Sequence, residues 1–556
     1  MKFSWRIAGE AGQGILNTGL MFAKACMNNG LYVFSSSDYP SLIRGGHNFL
    51  DITISNEPVH SCHEKPDLVV ALNKESIEKH GSIANAIIYD KLEKDGTKNK
   101  KAFPVPLMTI SQECGSIVMR NTVAMASSLA LIGIELETFN NVIKHSFKNK
   151  GENVINKNIE AAKKGYEYSV KNFKPLVKLP AIKNQKMYLV SGNDAVSAGA
   201  IQAGCKFFAA YPMTPATSIL HNMAFNEENY NIVIKHTEDE IAAINMAIGA
   251  SFAGVRSMTA TSGGGFALMV EALGLAAMTE TPLVAVDSQR PGPATGMATR
   301  TGQGDLSFIL NAAPDDFPRL VIAPGDVEEC FDHTVNAFIY SEKYQMPALI
   351  LVDKHVSISH KTVPMFKPIK NQRYSMIDKI PNNYLRYKIT SSGISPRTIP
   401  SQLKGMHCAS SYEHDEKGNE SEDSENRIKM HDKRFRKLES LVKEIPEPII
   451  YGPKNAKFTL ITWGSTKGAV LEAIKELKNV NMLHFIYLSP FKTKNLIEIM
   501  KGKTCVIEGN KTSQLSALIK QNIGKGPDYK ILKYDGRPFT PEYVIREVKK
   551  ILRIRN

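Results

Sequence analysis

Tyr211-Pro-Met-Thr-Pro-Ala-Thr217, then Thr237-Glu-Asp-Glu240, then Thr261-Ser-Gly-Gly-Gly265: these three pieces, in this order, carry the reading of the chain. The first follows a short strand-like run, residues 206–210. Pro212 and Pro215 fix φ and remove two N–H donors, so the turn is stiff and Thr214 is held in one place. A hydroxyl held in this way suits a carboxylate or keto oxygen. Equally, Pro-x-Thr-Pro ends a strand and Thr217 or Ser218 caps a helix. Glu238 and Glu240 open Ile241-Ala-Ala-Ile-Asn-Met-Ala-Ile-Gly-Ala250, a small-residue helix apolar on nearly every side and therefore expected to be buried. A helix dipole favours both carboxylates. A Glu entering a buried helix also needs a partner, and a basic ring nitrogen of a bound cofactor would serve. Thr261, Ser262 and Gly263 follow the strand 256–261, where glycine backbone lets a ligand approach closely. Downstream, Arg290-Pro-Gly-Pro-Ala-Thr-Gly-Met-Ala-Thr-Arg300 sets two arginines in a rigid loop, a residue type that grips carboxylates bidentately.

Outward from this centre the chain divides into blocks. Residues 1–174 alternate strands (4–8, 32–36, 50–54, 67–72, 86–89) with helices (15–28, 124–131, 137–146, 154–172), which predicts a parallel sheet covered on both faces. Residues 175–186 read as a linker. Residues 187–361 alternate again and open on a strand at Met187. From 362 to 455 apolar periodicity fades, which predicts an extended connector packed over its neighbours or a functional flap. Residues 456–556 form a third, smaller α/β pattern. The fold class is α/β, in three domains.

With 556 residues, 43% hydrophobic and 22% charged, the chain is globular and multidomain. No apolar run reaches membrane-spanning length, and the N-terminus lacks a signal-peptide pattern, so no membrane association and a cytoplasmic location are expected. The net charge of +14 comes without a basic–aromatic nucleic-acid motif. No nucleic acid is expected, and attraction of anionic cofactors or an acidic electron carrier suits the charge. Lysines are spread along the chain, with exposed-looking clusters at 98–101 and 433–437. Seven cysteines stand singly with no C-x-x-C pair, so no metal or iron–sulfur site built from local pairs is expected in this chain.

Near the N-terminus, Gly9-Glu-Ala-Gly12-Gln-Gly14 lies between a strand and a helix, a placement that can cradle phosphate. Its order is G-x-x-G-x-G, the reverse of the dinucleotide pattern. Arg44-Gly-Gly-His47 sets a cation and an imidazole on glycine backbone, to contact an anionic ligand or another subunit, or to form a surface turn.

Taken together, these motifs resemble the α subunit of 2-oxoacid:ferredoxin oxidoreductases, especially the 2-oxoglutarate type with the γ domain fused ahead of α. The family's Y-P-[IM]-T-P motif is residues 211–215, its acid-then-small-residue helix 238–250, its T-S-G-x-G turn 261–265. Its R-x-G-P-S-T-G-x-P-T loop is 290–299, with Ala294 for Ser and Ala298 for Pro. Residues 462–468, 395–397, 414–418, 9–15 and 39–47 match further family motifs. The resemblance implies a γ-type domain (1–174), a thiamin diphosphate pyrimidine-type domain (187–361) and a transketolase C-terminal-like domain (456–556). It implies that a separate β subunit supplies the diphosphate and Mg2+ half of the site and an iron–sulfur (4Fe–4S) cluster, in a dimer of αβ units with ferredoxin as partner. The reaction implied is a 2-oxoacid plus coenzyme A giving acyl-CoA, CO2 and two electrons. In it Glu240 activates the pyrimidine, with Thr261, Ser262 and Gly263 at the cofactor, and Thr214, Arg300, Arg290 and Tyr211 bind substrate. Gly12, Gly14, Arg44 and His47 are implied contacts to coenzyme A or a subunit.

Three other readings remain at this stage. They are a pyruvate or branched-chain version of the same enzyme, a non-catalytic assembly subunit, and an NAD-dependent dehydrogenase resting only on residues 9–14.

Overall fold

The computed structural model describes all residues except 41–45, 94–96, 98, 100, 183–185, 371, 375 and 554–556. The α/β chain forms two compact units. One holds Met1–Val190, Ser359–Met365 and Thr540–Glu542; the other holds Ser191–Ile358, Phe366–Phe539 and Tyr543–Asn556.

The first unit is built on an eight-stranded sheet. In spatial order its strands are Ala102–Val105, Ala86–Asp90, Leu68–Ala71, Lys2–Glu10, His47–Ser55, Tyr32–Asp38, His360–Pro364 and Met187–Ser191. The first four run parallel. Lys2–Glu10 and Tyr32–Asp38 both pair antiparallel with His47–Ser55, so the sheet is mixed and not the parallel one expected. The cause is loop length: only residues 39–46 join Tyr32–Asp38 to His47–Ser55, and a parallel return needs a crossover of a dozen or more residues. Strand Met187–Ser191, expected to open the second block, pairs at this sheet's edge. Helix Ile15–Asn28 lies close on the sheet because position 19 is glycine: a Cβ there would stand 2.2 Å from Leu50 Cδ2. Phe22 from this helix stacks on Trp5, ring centroids 4.0 Å apart. Residues 176–182 of the expected linker are bonded to the first unit. The N–H of Leu176 donates to Leu131 O, that of Leu179 to Ile132 O and that of Ile182 to Asn29 O.

The second unit holds two sheets. The seven-stranded sheet runs Tyr487–Ser489, Leu320–Ile322, Pro347–Asp353, Leu283–Gln289, Arg256–Thr261, Cys205–Ala210, Val233–His236. All pairs are parallel except the antiparallel edge strand Tyr487–Ser489. Leu283–Gln289 and Pro347–Asp353 are buried at every residue, as central strands of a sheet covered on both faces must be. The five-stranded sheet runs Ile449–Tyr451, Val480–Phe485, Phe458–Trp463, Lys503–Glu508, Tyr529–Leu532. Trp463, Leu483 and Phe485 from it share one apolar core with Phe266, Val321 and Leu351. The blocks read as two domains therefore belong to one compact unit.

The connector is packed rather than flap-like, and it contains a 21-residue helix, Ser424–Glu444. Its buried positions, Met430, Lys433, Arg434, Lys437 and Leu441, fall at helical spacing, but three of the five are cationic, so apolar periodicity could not reveal them. The cluster 433–437, expected to be exposed, is a correction: Lys433 and Lys437 are 0% and 1% exposed and both pair with Glu280. Glu280 and Gln345 each follow a helix end with φ near 50°. Lys437 Nζ donates to Gln345 O, and Arg386 donates to Glu280 O at 2.9 Å and to Gln345 Oε1. The cations thus cap the C-termini of helices Val270–Met278 and Val327–Tyr344, where dipoles and spare carbonyls favour positive charge.

Candidate active site

The C-terminal ends of three adjacent parallel strands, Cys205–Ala210, Arg256–Thr261 and Leu283–Gln289, bring the singled-out residues of the second unit together. Ligand crevices of open α/β sheets lie outside such carboxyl ends. After the first strand, residues 211–216 form the stiff turn, with a cis peptide at Thr214–Pro215. Asn193 Nδ2 donates to Pro215 O at 2.8 Å and Arg290 Nη1 donates to Thr214 O at 2.8 Å, so the turn is clamped from two sides. Tyr211 is exposed and its ring tilts against His236.

The two acids of residues 238–240 separate cleanly. Glu238 is exposed and outside the helix. Asp239 is the N-cap, its carboxylate accepting Ala242 N–H at 2.8 Å. Glu240 is the first residue of helix Glu240–Phe252, and only 3% of it is exposed. Thr261 Oγ1 donates to Glu240 Oε1 at 3.3 Å. Gly265 packs against this contact so closely that a Cβ would lie 2.2 Å from both Glu240 Oε1 and Thr261 Oγ1. The glycine run therefore serves close approach at its third position. Ser262 Oγ, fully buried, has no hydrogen-bond partner. The helix itself corrects an expectation: it is buried on one face only, and Ile241 (49% exposed) and Met246 (42%) line the other.

Asp287 lies two residues before the end of the third strand, opposite Thr261, and Asp305 precedes helix Leu306–Leu310. The sequence reading missed both. The signal available was an acid inside the apolar run 283–288. Asp305 lies against the glycine turn, its Oδ2 2.5 Å from where a Gly263 Cβ would stand. Asp287 Oδ1 and Oδ2, Asp305 Oδ2 and Arg290 Nε are all buried without a hydrogen-bond partner. Burial and the neighbouring carboxyl push Asp287 well above the usual range, and burial lifts Asp305 to about 6. Burial also lowers the Arg290 guanidinium, opposed by Asp287 and Asp305. Arg300 lies at the far end of the loop, its backbone N–H bonded to Met297 O and its Cβ against Gly536.

In the first unit the turn that carries Gly12 and Gly14 lies beside His47: Glu10 pairs with His47 and the N–H of Ala11 donates to Gly46 O at 2.9 Å. Arg44 lies outside the described residues. Gly12 has open space at its Cβ position, while Gly14, with φ 71°, starts helix Ile15–Asn28. His47 is tied into a network: Arg6 binds Asp51 bidentately at 2.6 and 2.9 Å and donates to His80 Nδ1. His80 must then carry its proton on Nε2 and donate it to His47 Nε2, 2.7 Å away. Burial holds the His80 imidazole down at about 3. Away from this network, Gly14, Lys24, Ser116, Asn121, Lys150 and Lys157 help line a cleft of about 900 Å³.

Two family descriptions match: "Pyruvate ferredoxin/flavodoxin oxidoreductase" over residues 4–168 and "Pyruvate flavodoxin/ferredoxin oxidoreductase, thiamine diP-bdg" over residues 198–433. A 2-oxoacid:ferredoxin oxidoreductase subunit alpha of a Sulfolobus species is 32% identical across 100% of this chain and 97% of its own. The chain belongs to the 2-oxoacid:ferredoxin oxidoreductase family. A 2-oxoglutarate synthase subunit of Methanocaldococcus jannaschii is 31% identical over 65% of this chain and 99% of its own. The solved 2-oxoglutarate:ferredoxin oxidoreductase of Magnetococcus marinus, with 2-oxoglutarate, coenzyme A and succinyl-CoA bound, is 33% identical. It superposes with a TM-score of 0.94 over 99% of each chain.

As a member of this oxidoreductase family the chain is an enzyme subunit of the α type, carrying a domain of the thiamine diphosphate-binding kind. Among the described residues, no helix is long and apolar enough to cross a membrane, and no cluster of three or more His, Cys, Asp or Glu side chains is placed to hold a metal ion.

Proposed function

We propose that this α subunit oxidises 2-oxoglutarate, with coenzyme A as acyl acceptor and ferredoxin as electron acceptor. For a 2-oxoacid anion and coenzyme A the products are acyl-CoA, CO2, two electrons and one proton. A β subunit completes the site, bringing Mg2+, the iron–sulfur (4Fe–4S) cluster and the diphosphate contacts, in a dimer of αβ units working in the cytoplasm. The half-apolar helix supports a covering partner, since Ile241 and Met246 face outward beside Glu240. In this reading residues 1–174, 187–361 and 456–556 are the γ-type, pyrimidine-type and transketolase C-terminal-like domains, with strand Met187–Ser191 paired into the γ-type sheet.

The observation that carries the proposal is the Glu240 site. A buried carboxylate at a helix start, supported by one hydroxyl and faced by a glycine turn, is able to share a proton with a ring nitrogen of a bound group. The residues fit the pyrimidine end of thiamine diphosphate: Ser262 Oγ is a buried polar atom awaiting a partner, and the glycines keep the wall free of side chains. That cofactor supplies the electron sink for decarboxylation when bound. Glu240 holds and returns the proton, Thr261 orients its carboxylate, and Ser262 and Gly263 line the pyrimidine. The Thr214 hydroxyl, Tyr211 and Arg300 bind the substrate, while Arg290 acts through the turn it clamps. The cationic cleft with Lys24, Lys150 and Lys157 suits the anionic end of coenzyme A, with Gly14 in its lining.

Glu240→Gln, assayed in the complex purified from its own cells, is expected to lower kcat by about 10²–10⁴-fold; unchanged turnover would favour a non-catalytic subunit. In a panel of oxoacids, 2-oxoglutarate is expected to give the highest kcat/KM. Pyruvate or a branched-chain acid in first place would overturn the substrate assignment.

A further inference from the structure

Strands Phe458–Trp463, Lys503–Glu508 and Tyr529–Leu532 are adjacent and parallel in the five-stranded sheet. The crevice outside such carboxyl ends is where open α/β sheets hold ligands. Here it receives part of the chain itself, residues 301–307, which directly follow Arg300. Gln303, 1% exposed, makes four hydrogen bonds there. Its N–H donates to Gly509 O at 2.9 Å, and Gly509 N–H donates back to its Oε1 at 2.7 Å. Its Nε2 donates to Trp463 O at 2.9 Å, and its carbonyl accepts from Asn510 Nδ2 at 3.0 Å. Gly464 leaves room for this side chain, since a Cβ there would stand 2.8 Å from Gln303 Nε2. Gln514 adds an outer pair, donating to Gly304 O at 2.7 Å and accepting from Ser307 N–H at 3.0 Å.

An apolar residue at 303 would fill the crevice equally well. A fully satisfied amide also fixes the orientation of the segment. That orientation reaches Arg300. Thr301 N–H donates to Gly536 O at 3.2 Å, and a Cβ on Gly536 would stand 3.1 and 3.3 Å from Arg300 Cβ and Cγ. At the other end of the segment, Asp305 lies against Gly263 of the cofactor turn.

We propose that Gln303 is a positioning residue of the substrate site, a clasp that mounts Arg300 on the five-stranded sheet. The inference rests on the reading of Arg300 as a substrate contact. Gln303 itself touches neither substrate nor cofactor. The block around the five-stranded sheet, which supplies none of the residues assigned to substrate or cofactor, thereby shapes substrate binding.

In the full complex, Gln303→Ala is expected to raise the KM for the oxoacid about tenfold while kcat changes less than about threefold. Arg300→Met raises KM by itself, and adding Gln303→Ala to it should raise KM by less than about twofold more, because the two act as one unit. A lower kcat at unchanged KM, or a full tenfold rise in the Arg300→Met background, would overturn the proposal. Should Gln303→Ala fail to yield a folded complex, Gln514→Ala removes only the outer pair. It is expected to raise KM about threefold, the size of one lost hydrogen bond; an unchanged KM there overturns the proposal as well.

Amide hydrogen exchange in the same complex reads the clasp without catalysis. Residues 301–307 are expected to be protected in wild type and to exchange at least about tenfold faster in Gln303→Ala, while strand Leu283–Gln289 keeps its rate. Free exchange of 301–307 in wild type, or no change in the variant, overturns the clasp whatever KM does. If the complex oxidises no 2-oxoacid at all, the functional reading fails and exchange alone decides the clasp.

Discussion

At Glu280 one carboxylate meets Lys433, Lys437 and Arg386, and the cations find backbone carbonyls, the Gln345 side chain or the Tyr387 ring besides. At Asp287 and Asp305 three buried carboxyl oxygens have no hydrogen-bond partner, and neither has the buried Nε of Arg290. Both clusters are buried in the same unit, near the ends of the same sheet's neighbouring helices and strands. The first is closed on itself: burial raises Glu280, but the three cations outweigh it and hold the carboxyl far below its usual range. The second keeps hydrogen-bonding capacity in reserve. A cluster that satisfies itself stabilises a fold, whereas unsatisfied buried groups mark where a ligand, a proton or a moving part is expected.

Breaking the first cluster should have the largest effect. Glu280→Ala leaves two buried ammoniums without their carboxylate and is expected to cost about 3–5 kcal/mol of stability, read by denaturant unfolding. Lys437→Met removes one cap from Gln345 O while Glu280 keeps Lys433; a loss of about 1–2 kcal/mol is expected from the same measurement. Asp287→Asn should change stability by no more than about 1 kcal/mol, because burial already keeps that carboxyl from ionising and little charge is lost with it. If it destabilised the protein as strongly as Glu280→Ala, the distinction between the two clusters would collapse.

The smallest effect sharpens the comparison through pH. Asp305, lifted by burial to about 6, lies above its ordinary value of 3.8. Its contribution is complete below pH about 4 and is lost as pH rises through 6. Glu413 is the opposite case: burial raises it, but Arg434 and Arg427 outweigh burial and hold it at about 2. Its contribution is present above its ordinary 4.5 and is lost as pH falls toward 2. The stability of Asp305→Asn relative to wild type should therefore grow between pH 4 and 6, and that of Glu413→Gln should do so below pH 4.5. Chemical unfolding across that range checks both slopes.

Much of this was legible in the residues. Helix Ile15–Asn28 and strand Arg256–Thr261 fall on the predicted residues, because each has a clean period and a glycine or turn at its boundary. Glu240 stood out because an acid opened an apolar helix. The helix Ser424–Glu444 was hidden because its buried stripe is made of lysine and arginine, which hydropathy reads as solvent-facing. The two-faced character of helix Glu240–Phe252 was hidden for the converse reason: residues that a partner would cover look the same as residues the chain covers itself. Asp287 and Asp305 are 18 positions apart, and only the fold sets them near the same turn: Asp287 pairs in register with Thr261, and Asp305 lies against Gly263.

The first unit's sheet has a consequence for how the protein is made. Strand His360–Pro364 lies between Tyr32–Asp38 and Met187–Ser191, and residues 191–358 of the other unit are interposed in the chain before it. At roughly 5–20 residues per second a ribosome needs some ten to thirty seconds to cover that interval. Throughout it, Tyr32–Asp38 waits as an unpaired edge on the nascent chain, so synthesis rate and chaperone access during those seconds set the yield of correctly zipped sheet.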